Sequence, residues 1–308
     1  MSQQMPSFVK ALRARAKGMR DMLGLLRKNP LAVIGLVIAV GLLAVAILAP
    51  VLAPPSPGDP YQRPRTWLQP QPPGTPGHFL GTGVNGADIY YGLVWGTRVS
   101  LQISLYVVGA ALLIGLLLGG IAGYFGRWVD EAIMRTTDLF IAIPGLILAM
   151  AVASALGRSI QNIMIALIIV WWPSYVRIFR SQVLVTKQSQ YIEAARCSGA
   201  SSWRIIFRHI VPNSVAPLLV QASLDLGVVI LVAAGLSFIG FGASPGYSEW
   251  GLMIAEGRDY ISQGFWWMVV FPGLAISIFV LGFNLLGDGL RDLLDPKLRS
   301  LMYGETAA

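Results

Sequence analysis

The sequence predicts an all-α membrane protein with six transmembrane helices. Of its 308 residues, 55% are hydrophobic and only 12% are charged, which is more apolar than a soluble domain of this size can hide from water. The apolar residues fall into six long runs, and polar or proline-rich segments separate these runs. A run of about 20 apolar residues is long enough to cross the hydrocarbon core as a helix.

A polar, basic segment precedes the first apolar run. Residues 1–29 carry seven lysines and arginines, and their apolar residues recur at roughly helical spacing. This pattern favours an amphipathic helix on the anionic cytoplasmic surface of the membrane, with a solvated basic tail as the alternative. Residues 30–52 form the first predicted span, which is long enough to stay in the membrane instead of being removed as a signal peptide.

A proline-rich loop follows over residues 53–97. Residues 53–80 contain nine prolines, which preclude a regular helix and place the backbone in water. Within its continuation, Gly81-Thr-Gly83-Val-Asn-Gly86 matches the GxGxxG pattern of dinucleotide sites. Such a site needs a preceding strand and a following helix in a βαβ unit, whereas proline-rich coil and a membrane span flank this segment. We therefore reject a dinucleotide site.

Residues 98–290 contain the other five apolar runs. We predict spans over Val99–Gly126, Ile133–Leu156, Ser159–Phe179, Asn213–Phe238 and Phe265–Gly287. Pro144 is expected to kink the third span, because proline removes a helical hydrogen bond. Residues 291–308 form a polar tail.

Two sets of residues within the spans suggest packing roles. Gly115, Gly119 and Gly123 lie four residues apart on one face of the second span, a spacing that lets another helix approach closely. Trp171 and Trp172 lie near the middle of the fourth span. Packing is the simpler interpretation of these tryptophans, and a pore wall is the alternative.

The distribution of charge predicts the orientation. Of the 23 lysines and arginines, 18 lie on the same side as the N-terminus and 5 lie on the opposite side. Because cytoplasmic loops are enriched in basic residues, both termini are expected in the cytoplasm. The same distribution accounts for the net charge of +8 without a nucleic-acid partner.

The longest charged interruption between the spans is the segment 187–212, here called the hinge, which this orientation places in the cytoplasm. Glu193-Ala194-Ala195 is expected to open a short helix whose small side chains allow another protein to dock closely. Gly199 suits a left-handed turn at the end of that helix. Ser201 or Ser202 can cap a second helix, and Pro212 is expected to close the pair.

No residue pattern supports catalysis or a bound cofactor. The sequence has no GxxxxGK[ST] phosphate-binding loop. Gly242-Ala-Ser-Pro-Gly246 matches the GxSxG pattern of hydrolases, but the only histidines, His78 and His209, are predicted on opposite faces of the membrane. Two separated histidines and the single Cys197 also give no metal or redox cluster. We therefore predict a non-enzymatic chain.

One ionisable residue, Asp225, lies well inside a predicted span. A charge at the middle of the bilayer costs about 2.5–3.5 kcal/mol on insertion scales, so it should face water or a partner. It is a candidate for the translocation path, and a carboxylate in a cytoplasmic vestibule or one paired across helices is the alternative. The candidate path residues are Asp225, Trp171, Trp172 and Ser237.

The hinge carries a family resemblance. Glu193-Ala-Ala195, three further residues, Gly199 and then Ile210-Val-Pro212 resemble the EAA loop of bacterial ATP-binding-cassette importer permeases. Segments over about residues 30–300 resemble the dipeptide, oligopeptide and nickel branch, and its second, C-type permease. They include Leu80-Gly-Thr82, Gly123-Tyr-Phe-Gly126, Glu249-Trp-Gly251, Asn284–Asp292 and Leu294-Asp-Pro296.

The sequence also departs from that family. Gly83, Val84 and Gly86-Ala-Asp88 stand where the family usually has acidic residues and Gly-Arg-Asp. An acidic residue common in the fifth span is replaced near Ala233, and Asp225 is an addition.

The resemblance implies a type I importer fold in the bacterial inner membrane. Such a subunit forms half of a pore with a homologous second permease, for peptides or a related small solute. Two cytosolic ATPases, which use ATP and Mg²⁺, grip the hinge, and an extracytoplasmic substrate-binding protein delivers the cargo. A secondary transporter or channel, which works without an ATPase, is the alternative.

The resemblance also assigns roles within the hinge. Glu193 would anchor the coupling helix, while Arg196, Arg204 and Arg208 would help to seat it. The residues implied for ATPase coupling are Glu193, Ala194, Ala195, Arg196, Gly199, Trp203, Arg204 and Arg208. Contact with lipid phosphates is the alternative for the arginines, and membrane lipid is an expected partner.

Overall fold

The computed structural model describes residues 29–65 and 69–294, whose regular structure is helical apart from isolated β-bridges. Helix α1 spans Pro30–Leu52, as predicted for the first span. Asn29 caps it, because its side-chain oxygen accepts hydrogen bonds from the N–H groups of Leu31 and Ala32, both at 3.2 Å. The predicted amphipathic segment over residues 1–29 lies outside the described residues except for this cap.

Helix α2 spans Ile89–Phe125 and includes a π-helical turn over Gly115–Gly119. It begins well before Val99, so the predicted start of the second span was wrong and the proline-rich loop is correspondingly shorter. Asp88 sets the start, because its carboxylate accepts a hydrogen bond from the N–H of Tyr91 at 2.7 Å.

Three helices follow, namely α3 (Arg127–Ala142), α4 (Gly145–Leu156) and α5 (Ile160–Thr186). Helix α5 continues past Phe179, where the fourth span was predicted to end. Pro173 lies inside α5 without ending it. Ser159 caps α5, since its hydroxyl accepts a hydrogen bond from the N–H of Asn162 at 3.1 Å.

Helices α3 and α4 meet at a break at Pro144, where the chain bends by 89°. The kink predicted at Pro144 is therefore a full break between two helices. Arg180 of α5 pairs with Asp130 near the start of α3, and Trp172 contacts Phe140 near its end. This reversed order makes α3 antiparallel to α5, and α4 also packs against α5. Both halves of the bent pair therefore pack against α5.

The remaining helices are α6 (Gln190–Cys197), α7 (Ser202–Ile205), α8 (Val211–Ser214), α9 (Ala216–Ile239), α10 (Trp250–Gly257) and α11 (Trp267–Leu294). Within the described residues, α1, α2, α5, α9 and α11 are each long and apolar enough to cross a membrane, and the number rises to six where the bent pair α3–α4 is counted as one span. That upper number equals the six predicted spans. Helix α11 continues beyond Gly287 to Leu294, and the rest of the predicted tail lies outside the described residues.

Close glycine contacts join α1 to α11. A Cβ atom at Gly35 would lie 2.5 Å from the backbone nitrogen of Leu286, and one at Gly282 would lie 2.4 Å from Cγ2 of Ile38. Only hydrogen fits at these positions, so the backbones of the two helices approach closely. Helix α11 also packs against α9, which places the first, fifth and sixth crossings together.

The proline-rich loop is fastened to the segment that precedes α10. Arg63 is 4% exposed and forms an ion pair with Glu256, and its backbone N–H donates to the carbonyl of Gly246 at 3.0 Å. The N–H of Ser248 donates to the carbonyl of Tyr61 at 2.7 Å. These contacts give the loop a fixed conformation although it forms no long helix.

Candidate functional site

The hinge begins with helix α6, which directly follows α5 after a short turn. Ile192 is completely buried, whereas the next two residues, Glu193 and Ala194, are exposed. The carbonyl of Ala194 accepts two hydrogen bonds from Ser198, one from its backbone N–H at 3.0 Å and one from its hydroxyl at 2.8 Å. One face of α6 is therefore anchored in the protein, while the face with the acidic residue is open.

The glycine turn of the hinge has the predicted conformation. Gly199 has a φ of +76°, and its N–H donates to the carbonyl of Arg196 at 2.9 Å. The N–H of Ala200 returns to the carbonyl of Ala195 at 3.1 Å, which completes the C-terminal turn. Of the two candidate caps, Ser201 is the one that caps α7, with its hydroxyl 3.4 Å from the N–H of Arg204.

The second half of the hinge continues almost without interruption into the fifth crossing. Helix α7 leads into a π-helical turn over Ile206–Ile210, and α8 and α9 follow. The prediction that Pro212 closes the hinge was wrong. Pro212 occupies the first turn of α8, where the missing N–H costs little and the fixed φ suits a helix.

Four isoleucines anchor the hinge to the transmembrane helices. Ile192, Ile205, Ile206 and Ile210 are each at most 3% exposed. The opposite side, here called the open face of the hinge, consists of exposed residues from α6 through the π-helical turn. They are Glu193, Ala194, Arg196, Trp203, Arg204, Phe207 and Arg208. Among the described residues, Glu193, Arg204 and Arg208 have no ion-pair partner, so these charges are available to another protein.

The two ends of the hinge are tied to each other. The hydroxyls of Thr186, at the end of α5, and Ser214, at the end of α8, are hydrogen-bonded at 2.7 Å. The ammonium of Lys187 donates to the carbonyl of Gly123 near the end of α2 at 2.7 Å. The hinge is therefore joined to α2, α5 and α8.

Aromatic contacts join the open face to the end of α2. The ring of Trp203 stacks on Phe207 at 5.9 Å and meets the edge of Phe125 at 6.2 Å. The guanidinium of Arg196 lies 5.4 Å above the ring of Tyr124, a cation–π distance. Trp203 remains 52% exposed, so part of its ring is still free to contact a partner.

The predicted glycine face of α2 packs against α5. A Cβ atom would lie 2.4 Å from Cβ of Tyr175 at Gly115, 2.7 Å from the carbonyl oxygen of Val176 at Gly119, and 2.7 Å from Cβ of Val183 at Gly123. The contacted residues of α5 occur in the same order along that helix, toward the hinge. The prediction that this face admits a neighbouring helix is confirmed, and the neighbour is the helix that leads into α6.

Asp225 lies inside α9 and is 7% exposed. The amide of Gln221, one turn earlier on the same helix, donates to its Oδ1 at 3.0 Å, and Tyr175 and Trp171 of α5 lie nearby. In the part of the chain that the structure describes, no lysine, arginine or histidine pairs with it. A neutral amide therefore contacts this carboxylate, and its predicted role in a substrate path stays a prediction.

The other candidate path residues have different surroundings. Trp172 contacts Phe140 of α3 with ring centroids 5.3 Å apart, which supports a packing role. Ser237 is 1% exposed at the opposite end of α9 from the hinge, and it lies beside Glu249 and under Gly242. Their predicted role in a substrate path stays a prediction.

The sequence analysis missed the buried carboxylate of Glu249, which caps α10. It is 1% exposed and accepts hydrogen bonds from the N–H groups of Gly251 at 2.9 Å and Leu252 at 2.7 Å. Burial raises the pKa of Glu249, and these hydrogen bonds act in the opposite direction. Glu249 sits just before a helix, a position in which an acidic residue signals a cap, and this signal was available in the sequence.

Two sequence-family profiles match the chain. The family described as the binding-protein-dependent transport system inner membrane component matches residues 115–300. The family described as the N-terminal TM domain of oligopeptide transport permease C matches residues 19–73. Together these matches cover helix α1 and the chain from the π-helical turn of α2 to the end of α11, which includes the hinge.

Similar proteins cover most of the chain. The dipeptide transport system permease protein DppC of Alkalihalophilus pseudofirmus is 44% identical over 91% of this chain and 90% of its own length. The probable D,D-dipeptide transport system permease protein DdpC of Escherichia coli is 45% identical over 89% of this chain and 90% of its own length. The glutathione transport system permease protein GsiD of Pectobacterium atrosepticum is 46% identical over 72% of this chain and 74% of its own length.

A solved structure shares the fold. It is an inward-facing conformation of the MetNI methionine ABC transporter, and its matching chain superposes with a TM-score of 0.53 at 20% identity. The match covers 66% of this chain and 96% of that chain. At this identity the likeness extends to the fold alone.

Proposed function

Since this chain belongs to the family of binding-protein-dependent transport system inner membrane components, we propose that it forms half of the pore of an ATP-driven peptide importer. A homologous second permease supplies the other half. The choice of peptides rests on the relatives, which include dipeptide permeases more than 40% identical over about nine tenths of this chain. The chain itself is a non-catalytic membrane subunit.

The open face of the hinge carries the proposal for coupling. It presents an acidic side chain, Glu193, next to small Ala194 and beside a ring, Trp203, that is half-exposed. Two cytosolic ATPase subunits hold ATP and Mg²⁺, and one of them receives this face. Glu193 pairs with a basic or hydrogen-bonding group of that ATPase, and Arg204 and Arg208 add contacts to acidic groups. This arrangement requires the hinge and both termini to be cytoplasmic, in agreement with the charge distribution.

The connections of the hinge suggest how ATPase movement reaches the pore. When ATP closes the ATPases, the hinge moves with the subunit to which it is docked. Because its ends are tied through Thr186 and Ser214, α5 and α9 move together and do not separate at their cytoplasmic ends. Both helices cross the membrane, so the movement alternately exposes the pore to the two sides. An extracytoplasmic binding protein delivers the peptide at the opposite face.

Charge reversal at Glu193 tests the coupling. The complex of both permeases and both ATPases, reconstituted in liposomes, is assayed with its binding protein for ATP hydrolysis and for uptake of a labelled dipeptide. We expect Glu193→Lys to lower uptake per ATP at least about tenfold, which corresponds to about 1.4 kcal/mol of lost coupling, with unchanged amounts in the membrane. Glu131→Lys is the matched control, because Glu131 is also exposed but lies on α3, outside the hinge.

Two results contradict the proposal. Normal coupled uptake by Glu193→Lys would remove the role given to this residue. Uptake driven by a proton or sodium gradient alone, by this chain purified without an ATPase, would instead establish a secondary transporter.

A further inference from the structure

A polar cleft of about 320 Å³ opens at the end of α5 that lies farthest from the hinge. Three separate parts of the chain line it. Asp59 and Gln62 come from the proline-rich loop, Arg158 and Gln161 from the start of α5, and Ser244 and Tyr247 from the segment between α9 and α10. This volume is at the small end of the range for ligand sites, so it suits a small polar molecule.

One side of the cleft is arranged to receive an anion. The guanidinium of Arg158 is exposed, and no carboxylate among the described residues pairs with it. The N–H groups of Ile160 and Gln161 are the first two of a 27-residue helix. The caps of α5 satisfy the next two N–H groups but leave these two without an acceptor in the described structure. Free N–H groups at a helix start favour a negative ligand.

The other side of the cleft is arranged to receive a cation. The carboxylate of Asp59 is exposed and accepts a hydrogen bond from the N–H of Tyr61 at 2.9 Å. Among the described residues it has no ion-pair partner. The ring of Tyr247 lines the same cleft and stacks on Tyr61 with centroids 5.6 Å apart. Burial, with a contribution from Asp59, raises the pKa of Tyr247 to about 12, so its hydroxyl stays neutral and able to donate.

We propose that this cleft receives a short unblocked peptide, with the C-terminal carboxylate at Arg158 and the start of α5 and the N-terminal ammonium at Asp59. The proposal rests on the proposed peptide transport and assigns a first contact of the substrate to this subunit. Opposite charges from different parts of the chain, inside one small cleft, match a ligand that carries both charges. The N–H groups without an acceptor determine the orientation of the peptide, because they can bind its carboxylate end but not its ammonium end.

Ligand titration of the intact complex tests the cleft. The complex of permeases and ATPases in nanodiscs, without the binding protein, is titrated with L-alanyl-L-alanine and followed by saturation-transfer NMR. The N-acetyl dipeptide lacks the ammonium, and the dipeptide amide lacks the carboxylate. We expect each blocked peptide to bind roughly fivefold more weakly, the scale of one partly exposed charge contact.

Variants assign each end of the peptide to its side of the cleft. Arg158→Gln should remove the preference for a free carboxylate and keep the preference for a free amine, and Asp59→Asn should do the reverse. Arg258→Gln and Asp259→Asn are matched controls, because these exposed charges lie outside the cleft and should change neither preference. Ile160→Pro, which removes one free N–H at a position where proline is tolerated, should weaken carboxylate recognition more than Ile160→Ala.

The outcomes separate this proposal from the proposed function. Binding that is absent, that ignores both blocking groups or that is unchanged in Arg158→Gln and Asp59→Asn overturns the cleft proposal. ATP-driven dipeptide uptake in the same preparation would then leave the proposed function intact. If uptake of every peptide fails while binding depends on the two charges as expected, the importer proposal fails and the cleft proposal stands.

Discussion

Replacing Gly115 by alanine tests whether the spacing between α2 and α5 depends on the glycine face. A Cβ atom at Gly115 would lie 2.4 Å from Cβ of Tyr175 and 2.9 Å from its backbone carbonyl carbon. Neither atom is the end of a flexible side chain, so rotation about a side-chain bond cannot remove the overlap. Ordinary contact begins near 3.4 Å, so the helices must separate locally by about 1 Å.

The overlap determines the expected loss of stability, and a matched control isolates that loss from the change in helix propensity. Extra atoms in a close-packed interface cost about 1–3 kcal/mol. Alanine also gains about 1 kcal/mol over glycine from helix propensity alone. Gly109 lies on the same helix with nothing within 4 Å of its added Cβ atom, so Gly109→Ala shows that gain without the overlap. Gly115→Ala should therefore be about 1–3 kcal/mol less stable than Gly109→Ala.

Reversible unfolding of the permease in mixed micelles, titrated with sodium dodecyl sulfate, measures this difference. Tryptophan fluorescence reports the transition, and peptide uptake by the reconstituted complex shows whether a changed spacing also reduces transport. Equal unfolding free energies for the two alanine variants would refute the argument, because both carry the same gain in propensity. A loss of uptake without a loss of stability would instead show that the substitution affects the conformational change of transport and not the folded resting structure.

Three further predictions concern single contacts. Gly199→Ala should cost about 1 kcal/mol, because alanine disfavours a φ of +76°, and Gly199→Asn should cost less, as measured by thermal unfolding in detergent. Asp130→Asn should cost roughly 1–3 kcal/mol, because it leaves Arg180 without the carboxylate that it contacts at 2.5 and 2.6 Å, and in a double-mutant cycle with Arg180→Gln the losses should not add. Because burial raises the pKa of Glu249, folding favours the protonated carboxyl. The free energy of unfolding of the wild type, measured relative to that of Glu249→Gln, should therefore be highest below the unfolded pKa of about 4.5. It should then fall as the pH rises through the folded pKa. A constant difference across that range would contradict the assignment of burial as the dominant cause.

The sequence predicted those features whose signals are local. The long apolar runs predicted the crossings, because composition alone decides whether a helix can lie in lipid. The four-residue spacing of Gly115, Gly119 and Gly123 placed the close approach on the correct face, since spacing determines which residues share a face of a helix. The turn at Gly199 was predicted because few other residues adopt its φ.

Features that depend on distant residues were not predictable in the same way. The ion pair between Arg63 and Glu256 joins residues 193 positions apart, and no local pattern relates them. Pro144 signalled a bend, but packing of α3 and α4 against α5 sets its size. Pro212 signalled an end, but its position in the first turn of α8 makes it compatible with a continuing helix.

The 89° break between α3 and α4 limits which solvent can surround it. Where one helix ends and another begins, the last carbonyls of the first and the first N–H groups of the second have no helical partner. Hydrocarbon offers no hydrogen bonds, and each unsatisfied backbone group there costs several kcal/mol. Ile143 and Leu146, on either side of Pro144, are 44% and 48% exposed in this subunit alone. Wherever this break lies within the bilayer, it must therefore adjoin water or a second protein chain.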